Sequence, residues 1–272
     1  MRGPQPSRCC LPINIRHLTV NVAAHIRILI LWPTVLVRTS IYVRRPFDAV
    51  ALTVRFKCDC SNHTNVAVSF DLFGTLVATE RPDEPWDAVA DSLAEREVDV
   101  PDDWEGAYRS AHREYDRGRE APLDEHVRLA LASRGVEVMG ATAREAVLAA
   151  FDGPVSRREG ARDALAAASA RGPVAVCSNC SVPGLVERTL DRADLAGGPD
   201  AVVTSVDSGW RKPHPRIFDV TADALDADRS SLVHVGDDAR TDGGADRAGA
   251  RSVLLADTPL PTVATRLREG RL

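Results

Sequence analysis

From Val66 onward, short β-branched runs alternate with stretches of helical periodicity, and this alternation restricts the fold more than any other feature of the chain. The runs are Val66 to Phe70, Val174 to Cys177, Ala201 to Thr204, Leu232 to Val235 and Val253 to Leu255. Each is short, largely apolar and followed by polar or turn residues, as expected of strands buried on both faces. Ala161, Ala164, Leu165 and Ala168 make an apolar stripe at helical spacing, and Gly172 suits the end of that helix. The expected fold class is α/β, a Rossmann-like parallel sheet with helical crossovers.

The first and second runs are separated by a long stretch with no convincing buried strand. Trp86, Val89, Ala90, Leu93 and Ala94 follow the i, i+3, i+4, i+7, i+8 pattern, and Leu123, Val127, Ala130 and Leu131 repeat it. Thr142 and Glu145 read as a capping box before Ala146, Val147 and Leu148. The spacing predicts an inserted all-α cap domain at residues 82–155, over the carboxyl edge of a core formed by residues 63–81 and 156–272.

Residues 1–62 are a different kind of sequence. They hold nine basic side chains against Asp48 and Asp59, whereas the whole chain of 272 residues has a net charge of −5. They also contain Cys9, Cys10, Cys58 and Cys60, while only Cys177 and Cys180 lie beyond them. The apolar stretch Ile28 to Val37 is broken by Pro33 and flanked by Arg27 and Arg38, too short for a membrane span and too deep in the chain for a cleaved signal. The Cys58, Cys60 and His63 spacing matches no zinc pattern. These residues are expected to be an extension outside the functional fold, for instance from a start site placed too far upstream. A body poor in cysteine, with no overall basic charge, points to a cytoplasmic protein with no nucleic-acid or membrane partner. The oligomeric state is left open.

Four loops, each following a strand, carry the chemistry. Asp71-Leu72-Phe73-Gly74-Thr75 places a carboxylate at the end of the first strand, then a residue free to turn and a hydroxyl able to hold an anion. Ser178-Asn179 supplies a hydroxyl and an amide after the second strand, next to a C-x-x-C spacing, Cys177 to Cys180, that lacks a thioredoxin-like context. Lys212, between Arg211 and Pro213, is one of only two lysines in the chain, and a compact ammonium suits a fixed charge beside a developing anion. Gly236-Asp237-Asp238 with Asp242 gathers carboxylates that can converge on a hard cation. Within that fourth strand, His234 reads as a hydrogen-bonded core histidine rather than a ligand.

Taken in order, Asp-x-x-Gly-Thr, Ser after a strand, Lys-Pro, and Gly-Asp with a further Asp five residues on resemble the haloacid dehalogenase superfamily over about residues 66 to 260. The resemblance implies a five-stranded parallel core with a helical cap, and an aspartate-nucleophile hydrolase acting on a small molecule. It assigns Asp71 as nucleophile and Lys212 as the catalytic cation, with Thr75, Ser178 and Asn179 orienting the transferred group. It implies Mg²⁺ held by Asp71, the backbone carbonyl of Phe73 and Asp237, with Asp242 as ligand or support. Phe73 departs from the pattern, because phosphatases of the superfamily carry a second Asp there to move protons, and dehalogenases do not. Tyr108-Arg109 with Glu114-Tyr115 resembles the dehalogenase segment that binds halide and carboxylate. The same residues also read as a polar helix face, with Arg113 following Arg109 at i+4. Trp86, Trp104, Tyr108 and Arg109 are the residues expected to select the substrate. The favoured expectation is a Mg²⁺-dependent phosphatase of a small phosphorylated metabolite. The alternatives are a hydrolase of 2-halo acids and a degenerate, non-catalytic member of the same fold.

Overall fold

The computed structural model describes residues 27–32, 35–40 and 66–272. The chain divides into two compact units, Met1–His63 and Thr64–Leu272. In the first, β1 (Arg27–Trp32) and β2 (Val35–Ser40) pair antiparallel, from Arg27 opposite Ser40 to Trp32 opposite Val35. The apolar residues 28–32 and 35–37 therefore lie in strands, which their pattern does not predict. The expectations for Cys9, Cys10, Cys58, Cys60 and His63 fall outside the described residues.

In the second unit the strands are β3 (Ala67–Phe70), β4 (Val77–Thr79), β5 (Val155–Arg157), β6 (Val174–Ser178), β7 (Ala201–Thr204), β8 (Leu232–Gly236) and β9 (Arg251–Leu254). The helices are α1 (Pro85–Ala94), α2 (Trp104–Arg109), α3 (Leu123–Ala132), α4 (Gly140–Phe151), α5 (Ala161–Ser169), α6 (Leu185–Arg192), α7 (Ser205–Ser208), α8 (Pro215–Ala224), α9 (Gly244–Ala248) and α10 (Leu260–Arg268). Five strands form one parallel sheet in the order β7-β6-β3-β8-β9. The first of them in sequence, β3, is thus central. The chain winds outward through β6 and β7, then returns to the other side of β3 through β8 and β9. Such a reversal opens a crevice beyond the carboxyl ends of the strands on either side of it.

Alternate residues of the central strands serve opposite faces, the two-residue period of extended chain. Val68, Phe70, Val174, Val176 and Val235 pack with α5 and α10 through Leu165, Ala168, Val263 and Leu267. Ala67, Ala175, Leu232 and Cys177 pack on the other face with α8 and α9 through Ile217, Phe218, Ala245 and Ala248. Burial on both faces explains why these strands read as largely apolar runs, interrupted by the buried Ser69 and His234.

Helices α1 to α4 form the block between β4 and β5, with α1 and α3 each against α4. Its interior is Val89, Leu93, Trp104, Val127, Leu131 and Val147. β4 and β5 pair antiparallel, Val77 opposite Arg157, so the chain leaves for the block and returns from it side by side. The block is tied to the sheet unit a third time. The Glu120 N–H donates to Gly209 O at 3.1 Å, the Arg211 N–H to Gly118 O at 2.9 Å, and the Leu123 N–H to Ser181 O at 2.9 Å.

Several local expectations are corrected. Thr142 and Glu145 do not form a capping box: α4 starts at Gly140 after Met139, with no side-chain cap, so both lie inside the helix. Gly172 does not end α5 by turning left-handed, because the helix closes on Ala170 in right-handed conformation. Instead a Cβ at Gly172 would sit 2.5 Å from Val66 O, so glycine is needed there for close approach to β3. The polar face expected to continue from Arg109 is not helical, since α2 ends at Arg109 and Ser110 is extended. The last strand begins at Arg251, two residues before the apolar run, because β9 is an edge strand that tolerates polar side chains.

Candidate active site

The carboxyl end of β3 delivers Asp71, whose N–H donates to Val235 O of β8 at 2.8 Å. The chain then turns tightly on itself. Leu72 O accepts from the N–H groups of Leu76 and Val77 at 2.9 and 3.0 Å, and Leu72 and Leu76 are fully buried. Gly74 sits at φ +87°, and a Cβ there would lie 2.4 Å from Asp237 Oδ2. This turn brings Thr75 beneath the fourth loop, where its hydroxyl donates to Asp237 Oδ1 at 2.9 Å.

Lys212 enters from the loop before α8, with a cis peptide bond to Pro213. Its ammonium is 1% exposed and spends all three donors, on Asp71 Oδ1 at 2.9 Å, Asp242 Oδ1 at 2.7 Å and Cys177 O at 2.9 Å. Asn179 holds the Lys212 backbone from both sides, its Nδ2 donating to Lys212 O at 3.0 Å and its Oδ1 accepting from the Lys212 N–H at 2.8 Å. The amide expected to orient a substrate is thus already committed to placing the lysine. Ser178 Oγ, by contrast, is buried with no hydrogen-bond partner among the described residues.

Asp242 is fully buried beneath Gly236, where a Cβ would come within 2.1 Å of its Cγ. Its Oδ1 accepts from Lys212 and from His234 Nε2 at 3.0 Å, and its Oδ2 accepts from the Asp238 N–H at 3.0 Å. Burial pushes this carboxyl up, but the His234 hydrogen bond and the Lys212 charge more than reverse that, holding it well below the usual carboxylate range. Burial raises Asp71 above its ordinary value against the opposing pull of Lys212. His234 is buried, lowered by desolvation and then by the Lys212 charge, and bonded on both ring nitrogens, as expected of a core histidine.

Asp71, Asp237 and Asp242 each offer a carboxylate oxygen, all within 4.8 Å of one another. Lys212 pairs with two of these carboxylates, Asp71 and Asp242, and the excess negative charge of the three together with an all-oxygen donor set is what a hard divalent cation requires.

A cleft of about 480 Å³ opens over Asp71, Asp237 and Lys212. Phe73, Arg81, Phe151, Arg211 and Arg240 also line it, and none of the last four was singled out as a site residue from the sequence. Arg81 and Phe151 lie where the chain enters and leaves the helical block, a position only the β4–β5 pairing reveals. Arg211 is tied to the buried Glu120 at 2.7 Å and Arg240 to Asp238 at 3.0 Å. Arg81 lies over the Phe73 ring, 6.0 Å from its centroid. Arg109 is outside the cleft lining: it pairs with Glu105 at 2.9 Å and stacks over Trp86 at 4.1 Å. Trp104 is 4% exposed and donates to Trp86 O, so it is part of the block's interior.

A family model described as haloacid dehalogenase-like hydrolase matches residues 66–249. The chain belongs to this family. The matched region of this haloacid dehalogenase-like hydrolase contains all four loops; those of Asp71, Ser178 and Asp237 lie directly at the carboxyl ends of β3, β6 and β8, whereas the loop of Lys212 follows α7, which separates it from β7. Among solved structures, it is similar to CbbY from Rhodobacter sphaeroides in complex with phosphate, at 21% identity over 69% of this chain and 84% of that one, TM-score 0.48. It is also similar to a HAD phosphatase from Thermococcus onnurineus, at 18% identity over 75% and 96%, TM-score 0.46. L-2-haloacid dehalogenase from Xanthobacter autotrophicus is similar at 22% identity over 75% and 82%, TM-score 0.43. No curated protein shows significant sequence similarity to this haloacid dehalogenase-like hydrolase. Among the described residues no helix is long and apolar enough to cross a membrane.

Proposed function

We propose that this hydrolase is a Mg²⁺-dependent phosphatase of a small phosphorylated metabolite. The observation that carries this reading is the convergence of Asp71, Asp237 and Asp242 within 4.8 Å of one another, with a single ammonium, Lys212, bonded to the first and the last. A halide-releasing site has no need of that excess negative charge, whereas a phosphoryl group approaching a carboxylate does need a cation between them. Asp71, Asp237 and the Phe73 carbonyl would hold Mg²⁺, with Asp242 as a further oxygen or as support. When bound, the ion supplies charge neutralisation to the incoming phosphoryl oxygens.

Lys212 engages Asp71 Oδ1, and Asp71 Oδ2 accepts no hydrogen bond among the described residues. In this reading Oδ2 attacks phosphorus, the P–O bond to the leaving group breaks, and an aspartyl phosphate forms on Asp71. Water then attacks that phosphorus, returning the carboxylate and releasing phosphate. The unpartnered Ser178 hydroxyl is available to a phosphoryl oxygen, since a buried polar group without a partner calls for a ligand or water. Phe73 offers no proton to the leaving oxygen, so substrates with easily departing groups are favoured. The helical block serves as the cap, contributing Phe151 to the cleft wall.

Phe73 also favours a second reading, hydrolysis of 2-halo acids, because a departing halide takes no proton. Both are tested by giving the purified full chain p-nitrophenyl phosphate and 2-chloropropionate, each with Mg²⁺ and with EDTA. Phosphate release abolished by EDTA supports the first reading. Chloride release insensitive to EDTA replaces it with the second.

A further inference from the structure

Beneath the site runs a buried line of polar side chains, two of which, Ser69 and His234, have no part in the proposed chemistry. Ser69 of β3 and His234 of β8 are Cα partners in the parallel ladder, both fully buried on the sheet face covered by α8. Their neighbours on that face, Ala67 and Leu232, are apolar, and Phe218 of α8 packs edge-on against the imidazole at 5.4 Å. Ser69 Oγ lies 2.8 Å from His234 Nδ1 and His234 Nε2 lies 3.0 Å from Asp242 Oδ1. The next links are Asp242 Oδ1 to Lys212 Nζ at 2.7 Å and Lys212 Nζ to Asp71 Oδ1 at 2.9 Å. The line therefore runs unbroken from the sheet interior to the carboxylate read as the nucleophile.

Its polarity is set by its ends. Asp242 Oδ1 is an acceptor, so the facing Nε2 must carry the imidazole hydrogen, which leaves Nδ1 as acceptor for the Ser69 hydroxyl. Two donors converge on Oδ1 while the Asp238 N–H holds Oδ2, and three bonds confine the carboxylate to one orientation. Lys212 is fixed in turn by the oxygen that His234 fixes. An apolar residue at 234 would fill the same space on β8 but leave Oδ1 with one donor instead of two.

We infer that His234 and Ser69 are positioning residues, which lock the Asp242 carboxylate and through it place the Lys212 ammonium against Asp71. This rests on the reading of Asp71 and Lys212 as the reacting pair. Turnover by the wild-type full chain tests that reading, and the His234 tautomer and variants test this one.

The first measurement is ¹⁵N NMR of the histidine rings in the full chain and in His234→Gln, which identifies the His234 signal. An Nε2–H is expected on His234, and an Nδ1–H tautomer, which has no hydrogen to give Asp242, overturns the inference without any turnover being measured. The second compares His234→Leu, which removes the donor, with His234→Gln, whose amide nitrogen can occupy the place of Nε2. With p-nitrophenyl phosphate and Mg²⁺, kcat is expected to fall about 10- to 100-fold in His234→Leu at little-changed KM, and to stay within about threefold of wild type in His234→Gln. Circular dichroism establishes that both variants are folded. Wild-type kcat in His234→Leu, or equal loss in the two variants, overturns the inference. A wild-type chain with no turnover overturns the proposed function instead, and the tautomer then decides the positioning alone.

Discussion

Lys212 Nζ lies 2.7 Å from Asp242 Oδ1, and each of these side chains is 1% exposed. Removing one partner of such a pair strands a charge away from water. Lys212→Met is therefore expected to destabilise the fold by about 3 to 5 kcal/mol, and Lys212→Met with Asp242→Asn by less than the two single changes together. Urea unfolding in EDTA measures this, and strictly additive losses would show the pair to be uncoupled.

Phe73 lines the cleft together with Asp71, at the position where the phosphatase pattern has its second Asp. Phe73→Asp is expected to raise turnover of an unactivated alkyl phosphate by about 10² to 10⁴ and to change turnover of p-nitrophenyl phosphate far less. The ratio of kcat/KM for the two esters reads it directly. An equal gain on both would mean that the new carboxylate acts otherwise than as an acid.

Gly74 combines φ +87° with a Cβ position 2.4 Å from Asp237 Oδ2. Gly74→Ala meets a backbone penalty of about 1 to 2 kcal/mol and must also push Asp237 from its place. Titration calorimetry should then show Mg²⁺ binding weakened by more than the loss of stability alone explains. Unchanged Mg²⁺ affinity would remove Asp237 from the ligand set.

Burial pushes the Cys177 and Cys180 thiols up from 9.0 to about 11. The folded state thus binds these protons more tightly than the unfolded state does. Their contribution is fully present below pH 9 and is lost as pH rises through about 11, at up to about 1.4 kcal/mol per pH unit for each thiol. Unfolding free energies between pH 8 and 11 should fall with a slope that Cys180→Ala reduces. Iodoacetamide at pH 8 should label neither residue in the native chain, since both are free, buried and protonated.

The parallel core was legible because its strands are buried on both faces and so appear as apolar runs. Ala201–Thr204 is found where the pattern placed it, and Leu232–Gly236 extends the expected strand by one residue. β4 and β5 were not legible: at three residues each, with Ser156 and Arg157 exposed, they carry no periodicity to detect. The loops that bear Asp71, Lys212, Asp237 and Asp242 were visible through residue order, and the structure brings these four side chains together. What order could not reveal is how donors are shared. Asn179 and Thr75, read as groups for a substrate, are spent on the Lys212 backbone and on Asp237, while His234, read as core, ties into Asp242. From the helices of the block, the cleft lining takes Phe151 at the end of α4 and not Trp86, Trp104, Tyr108 or Arg109.

The central place of β3 sets an order of events during synthesis. Thr75 and Asp237 touch across 162 residues of sequence, and Ser69 and His234 across 165. Asp71 leaves the ribosome long before the strand that supplies its partners exists, and loop closure over such a span must be met before any site contact forms. A nascent chain that has completed its helical block and half its sheet still has no site. The cluster of Asp71, Asp237 and Asp242 assembles only when β8 docks beside β3, so no amino-terminal fragment ending before Asp242 can carry the complete set of carboxylates.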